Sequence, residues 1–196
     1  VAVQLVLATH NAHKVDELRR ILGEQLQGIE LVGYDGPEPV EDGATFEANA
    51  LIKARAAAAH TGLPAVADDS GISVAALDGA PGIHSARYAG TRVDADNVAL
   101  LLKNLEGVDD RSAQFVCAAA FVTPDGVEEV VRADWPGSVL LEAVGGGGFG
   151  YDPVFKPAGL SVSSAELRPD EKDAISHRTM AFGALMPLVQ ERLLAQ

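Results

Sequence analysis

The feature that most constrains the fold is an alternation of short apolar runs with capped helical segments, which carries the chain as far as Asp69. Val3 to Ala8 is apolar except for Gln4 and reads as a central strand. Thr9-His10-Asn11 follows, then a helix from Ala12 to about Gln27, with Val15, Leu18, Ile21 and Leu22 at helical spacing and Glu17, Arg19 and Arg20 turned outward. Asn11 is its N-cap. Ile29 to Val32 is a short strand, Thr45 caps an alanine-rich helix from Phe46 to about His60, and Gly62 ends it. Leu63 to Ala67 is a buried strand. Strands that alternate with helices in this way define an α/β domain.

The last of these runs ends on Asp68-Asp69-Ser70-Gly71. Buried acids are costly to ionise unless a cation or hydrogen-bond donors compensate them. Two acids at a strand end therefore suit a hard metal with oxygen ligands, Mg²⁺ or Mn²⁺. The same four residues also read as a polar turn with helix-capping power. Lys14 raises a similar pair of readings. A strand-turn-helix start directs backbone N–H groups outward, which suits phosphate. A lysine in that first turn opposes the helix dipole, so an anionic ligand would explain it, and so would solvent. Lys53 shares a helical stripe with Phe46, Asn49 and Ala56.

Residues 71 to 91 read as a long irregular segment, followed by a helix from Asp94, its cap, to about Leu105. Ser112 to Val122 is a β run, Pro124-Asp125-Gly126 a hairpin turn, and Val127 to Asp134 the return strand. Trp135-Pro136-Gly137 reads as a further turn and Val139 to Val144 as another strand. Gly145 to Gly148 costs backbone entropy, and the aromatics directly after it point to an ordered wall rather than a linker. Residues 156 to 172 are mixed loop and short helix. Ser176 caps a last helix with Leu185, Leu188, Val189 and Leu193 on its apolar side, and Pro187 is expected to kink or divide it. No interdomain linker interrupts the chain, so residues 1–196 read as one domain.

The 196 residues carry a formal net charge of −13, which argues against binding a nucleic-acid duplex. A few lysines focused in one place can still hold a small anion. No apolar run is long enough for a membrane span, Val1 opens on a strand-like segment without a signal-peptide pattern, and the single cysteine, Cys117, reads as a buried thiol of a reducing cytoplasm.

Six motifs in order resemble the inosine triphosphate pyrophosphatase family. They are Ala8-Thr9-His10-Asn11-Ala12-His13-Lys14; Thr45-Phe46-Glu47-Ala48-Asn49-Ala50 with Lys53; Ala67 to Gly71; Gly79 to Tyr88; Gly147 to Pro153; and Ser176-His177-Arg178. The resemblance runs from Leu7 to Arg178. It departs from the family pattern at His10, at Thr179-Met180 and at Pro187. It implies an elongated, mixed-sheet, two-lobe α/β fold with the active site in the cleft between lobes, a homodimer, and a need for Mg²⁺, with Mn²⁺ as a substitute. It further implies hydrolysis of inosine, deoxyinosine and xanthosine triphosphates to monophosphate and pyrophosphate.

Carried onto this chain, the resemblance makes Glu41 and Asp69 metal ligands and Asp69 the general base, with Asp68 a possible sharer of that role. It gives the phosphates to Thr9, His10, Asn11, Ala12, His13, Lys14, Lys53 and Lys172, with Ser70 on the phosphates or the sugar. A purine would stack on Phe149 beside Gly150, Tyr151 and Asp152. Arg178 and backbone N–H groups near His177 would donate to the six-oxo group, leaving an adenine unsatisfied. Two other readings compete: a nucleotide-binding regulator without turnover, and a related pyrophosphatase of modified pyrimidine triphosphates.

Overall fold

The computed structural model describes residues 2–194. Six strands form one mixed sheet: β1 (Val3–Leu7), β2 (Ile29–Gly33), β3 (Ala65–Val74), β4 (Ser112–Val122), β5 (Glu128–Val139) and β6 (Phe155–Pro157), in the order β2-β1-β3-β4-β5-β6. β1 pairs in parallel with β2 and β3, and β5 pairs antiparallel with β6. The helices are α1 (Ala12–Leu22), α2 (Phe46–Thr61), α3 (Asp94–Asn104), α4 (Pro169–Asp173) and α5 (His177–Leu194). The α/β class and mixed sheet expected from the sequence are those observed.

The chain divides into two compact units. The first comprises the segment through Asp69, Cys117–Ala133 and the stretch from Arg178 onward; the second comprises Ser70–Val116 and Asp134–His177. In the first, Leu5, Leu7, Leu18, Leu22, Val66, Phe121, Phe182 and Leu185 build the core. The alanines of α2 that face inward, Ala50, Ala54, Ala57 and Ala58, let it lie close to its neighbours. In the second, Ile72, Val74, Leu101, Phe115, Trp135, Tyr151 and Phe155 pack together.

Five expectations are corrected. Asp68 to Gly71 is neither a strand end nor a turn, because β3 runs through it to Val74. Gly71 is there for close approach: a Cβ would strike Ser85 Oγ, which accepts the Ile72 amide at 3.0 Å and donates to the Gly82 carbonyl at 2.7 Å. Trp135-Pro136-Gly137 lies inside β5, where Gly137 meets the Lys156 carbonyl and the Phe155 ring, and 140–144 is not a strand. Pro187 does not divide α5, which continues to Leu194 with Pro187 on its exposed side. α1 ends at Leu22, and Gly23–Leu26 continues as a tighter 3₁₀ turn.

Cys117 is fully buried, 4.0 Å from Asp68 Oδ2. Burial, and then the Asp68 charge, push its thiol well above the ordinary range. Iodoacetamide is therefore expected to leave the native protein unlabelled near neutral pH and to label Cys117 only after unfolding, as intact mass would report. Labelling at the rate of a free thiol would contradict this placement. No helix among the described residues is long and apolar enough to cross a membrane.

Candidate active site

In the first unit, β1 and the start of α1 position the first group. Thr9 Oγ1 accepts the Asn11 amide at 3.1 Å, and Asn11 Oδ1 caps α1 by accepting the Lys14 amide at 3.2 Å. Asn11, Ala12 and His13 are exposed, and Lys14 is half-buried. His10 Nδ1 donates to Glu38 Oε1, 3.0 Å away, and the ring stacks on Tyr34 with centroids 5.4 Å apart. A second group comes from α2: Lys53 Nζ lies 3.1 Å from Asp69 Oδ1 and 3.3 Å from Glu41 Oε2. Asn49 Oδ1 accepts the Gly43 amide at 2.9 Å, which ties the loop bearing Glu41 to α2.

Between these groups lies a buried charge network. Asp68 Oδ2 accepts from Lys14 Nζ at 3.2 Å and from Arg178 Nε and Nη2 at 3.3 Å, while Arg178 Nη1 donates to Glu17 Oε2 at 2.7 Å. Arg178 is 1% exposed and Glu17 2%. Glu17 does not point outward as expected. With Lys14, Leu18 and Ile21 it forms an i, i+3, i+4, i+7 stripe on the inner side of α1, a signal present in the sequence but masked by its charge.

The two acids of the pair differ in character. Burial opposes the charge of Asp68, but Lys14, Arg178 and Lys53 outweigh it and hold the carboxyl well below the usual range. Burial also raises Asp69, and there Lys53 and Lys14 do not offset it, so its carboxyl lies above the ordinary value. Lys53 keeps its proton more firmly than usual despite burial, because Asp69, Asp68 and Glu41 surround it. One oxygen of each acid, Asp68 Oδ1 and Asp69 Oδ2, is buried without a hydrogen-bond partner.

In the second unit, the turn after the glycine run is held by Asp152, 2% exposed. Its Oδ2 accepts the Phe149 amide at 2.9 Å and Lys172 Nζ at 2.7 Å, and its Oδ1 accepts Ser164 Oγ at 2.7 Å. The expected ordered wall is present: a Cβ on Gly148 would collide with the Asp152 carboxylate. Lys172 Nζ sits 5.1 Å from the centre of the half-buried Phe149 ring. Tyr151 is a core residue, 5% exposed, with its hydroxyl donating to the Ser85 carbonyl at 2.7 Å. His177 is buried and stacks with Phe115 at 4.8 Å and Trp135 at 5.9 Å. Ser70 is half-buried in β3.

Lys14, Lys53 and Lys172 all have carboxylate partners, so none of them needs a ligand to account for its presence. Asp68 Oδ1 and Asp69 Oδ2, buried carboxylate oxygens without donors, have the chemistry that suits a hard cation.

The sequence pattern of the Ham1 family matches residues 5–188. This chain belongs to that family. It is 56% identical over 191 residues to the dITP/XTP pyrophosphatase of Leifsonia xyli subsp. xyli, covering 96% of each protein. Among solved structures, a HAM1 protein from Coxiella burnetii superposes with a TM-score of 0.87 at 41% identity, over 96% of this chain and 99% of that one. The Ham1 protein of Staphylococcus aureus does so with a TM-score of 0.86 at 36% identity, over the same shares.

Proposed function

We propose that this chain is a cytoplasmic, homodimeric enzyme that hydrolyses inosine, deoxyinosine and xanthosine triphosphates to the monophosphate and pyrophosphate, clearing deaminated purines from the nucleotide pool. The observation that carries the reading is the pair of donor-less buried oxygens, Asp68 Oδ1 and Asp69 Oδ2, beside two lysines near the capped start of α1. Membership of the Ham1 family, with a dITP/XTP pyrophosphatase as a relative, supports the substrate class.

Glu41 and Asp69 would hold Mg²⁺, with Mn²⁺ as a substitute. The described residues contain no group of three or more acidic, histidine or cysteine ligands. That suits Mg²⁺, which commonly takes one or two protein carboxylates and completes its shell with water and substrate phosphate. When bound, the ion supplies positive charge to the phosphoryl oxygens.

Asp69 is the proposed general base. Its neighbour Asp68 is committed elsewhere, held as an anion that fixes Lys14 and Arg178. The α1 start, from Thr9 through His10, Asn11, Ala12 and His13 to Lys14, receives phosphate oxygens with Lys53, and Ser70 adds a contact to phosphate or sugar. Phe149 stacks the purine, while Gly150, Tyr151, Asp152 and Lys172 keep its ring in place. His177 and Arg178 stay assigned to the six-oxo edge, and burial of the Arg178 pairs makes the anchoring of Asp68 its first role.

Pyrophosphate release from inosine triphosphate with Mg²⁺ tests the proposal, measured beside adenosine triphosphate and a modified pyrimidine triphosphate. Release is expected from the six-oxo purine in clear preference to both. No release above background would sink the enzyme reading, and preference for the pyrimidine would overturn the base assignment.

A further inference from the structure

The carboxylate that opens α3 does not serve its own helix. Sequence makes Asp94 an N-cap, yet α3 has no side-chain cap, and its N-cap position is Val93. Asp94 Oδ2 instead accepts the Gly150 amide at 2.7 Å, 56 residues along the chain. Gly150 has φ +61°, a conformation that favours glycine and turns its amide toward that acid. The preceding amide, that of Phe149, ends on Asp152 Oδ2 at 2.9 Å. Successive amides of the turn are therefore held by two different carboxylates, one inside the turn and one outside it. Phe149, whose ring faces Lys172, is the residue they bracket.

The outside anchor is firm. Tyr151, in the same turn, donates to the Ser85 carbonyl at 2.7 Å. The segment between Ser85 and Asp94 is tied to α3 by Asn97, 2% exposed, which accepts the Ala89 amide at 2.8 Å and donates to the Ala86 carbonyl at 3.2 Å. Asp94 and the Ser85 carbonyl thus reach the turn from one braced segment. A hydrogen bond from an amide to a carboxylate is stronger than one between neutral groups, an advantage that solvent reduces here because Asp94 is exposed.

We infer that Asp94 is a positioning residue for the base-stacking turn Phe149–Asp152, fixing the ring that receives the purine. The inference rests on the proposed function for the identity of that ligand, but not for the hold itself. Two variants test it, Asp94→Ala and Asp94→Asn, the second keeping an acceptor oxygen without the charge. Asp94→Ala is expected to raise KM for inosine triphosphate roughly ten-fold, with kcat within about two-fold of the parent, as loss of one charge-assisted contact in binding predicts. Hydrogen exchange at the Gly150 amide, followed by NMR, is expected to quicken in Asp94→Ala, and Asp94→Asn, which keeps an acceptor without the charge, to recover about half of both effects.

Unchanged Gly150 exchange in Asp94→Ala overturns the inference. So does a lower melting temperature with KM unchanged, which would leave Asp94 a helix-start residue only. If the parent protein releases no pyrophosphate from inosine triphosphate, the functional reading fails instead, and the Gly150 exchange still decides whether Asp94 holds the turn.

Discussion

Asp69→Asn is expected to lower turnover of inosine triphosphate by roughly a thousand-fold, the scale of losing a positioned general base. The same change is expected to leave the melting temperature unchanged or raise it. Asp69 carries a buried oxygen without a donor, and its carboxyl is raised by burial, so its charge costs the folded state stability. The sign follows from linkage. A carboxyl whose folded value exceeds its unfolded value binds more protons when folded, so stability falls as pH rises through the interval between the two. Above both values the cost is fully present, and a neutral amide removes it. Lys53 retains Glu41 as a partner at 3.3 Å. Thermal melts beside turnover assays check both halves. A substantial fall in melting temperature would mean that the Asp69–Lys53 pair is chiefly structural.

Arg178→Ala is expected to act on the fold first. Arg178 is among the largest fully buried side chains of the described residues, and its guanidinium bridges Glu17 and Asp68. Truncation leaves both carboxylates buried with one cation fewer, and breaking a buried pair from one side costs about 3–5 kcal/mol. Lys14 still contacts Asp68. Adding Glu17→Gln to Arg178→Ala is expected to recover part of the stability, a coupling that urea titrations of the two single variants and the double variant would measure. A loss below about 1 kcal/mol would place these pairs in the range of exposed ion pairs. Any narrowing of the preference for inosine over adenosine triphosphate in Arg178→Ala must be read on protein shown to be folded.

How much of this could be read along the chain depended on whether the cause was local. The Asn11 and Thr45 caps, the Gly62 stop and the β-α-β start are decided by residues within a few positions, and they form as expected. Asp68-Asp69-Ser70-Gly71 has the composition of a turn, but Gly71 is explained by Ser85, which approaches from another part of the chain. Trp135-Pro136-Gly137 likewise resembles a turn until β6 lies against it. The partners of the lysines at 14, 53 and 172, namely Asp68, Asp69 and Asp152, are at least sixteen residues away, beyond the reach of local spacing. Glu17 was misread for the same reason, since its counter-charge is 161 residues further on.

That last separation bears on how the protein is made. Glu17 and Asp68 emerge from the ribosome long before Arg178, which stands 161 and 110 positions after them. Until the start of α5 is synthesised, the interior of the first unit holds acids whose guanidinium has not yet arrived, and closing so long a loop is among the slower events in folding. Lys14 and Lys53 can already face Asp68 and Asp69 at that stage, but Glu17 and Asp68 gain their shared guanidinium only when the last helix is added.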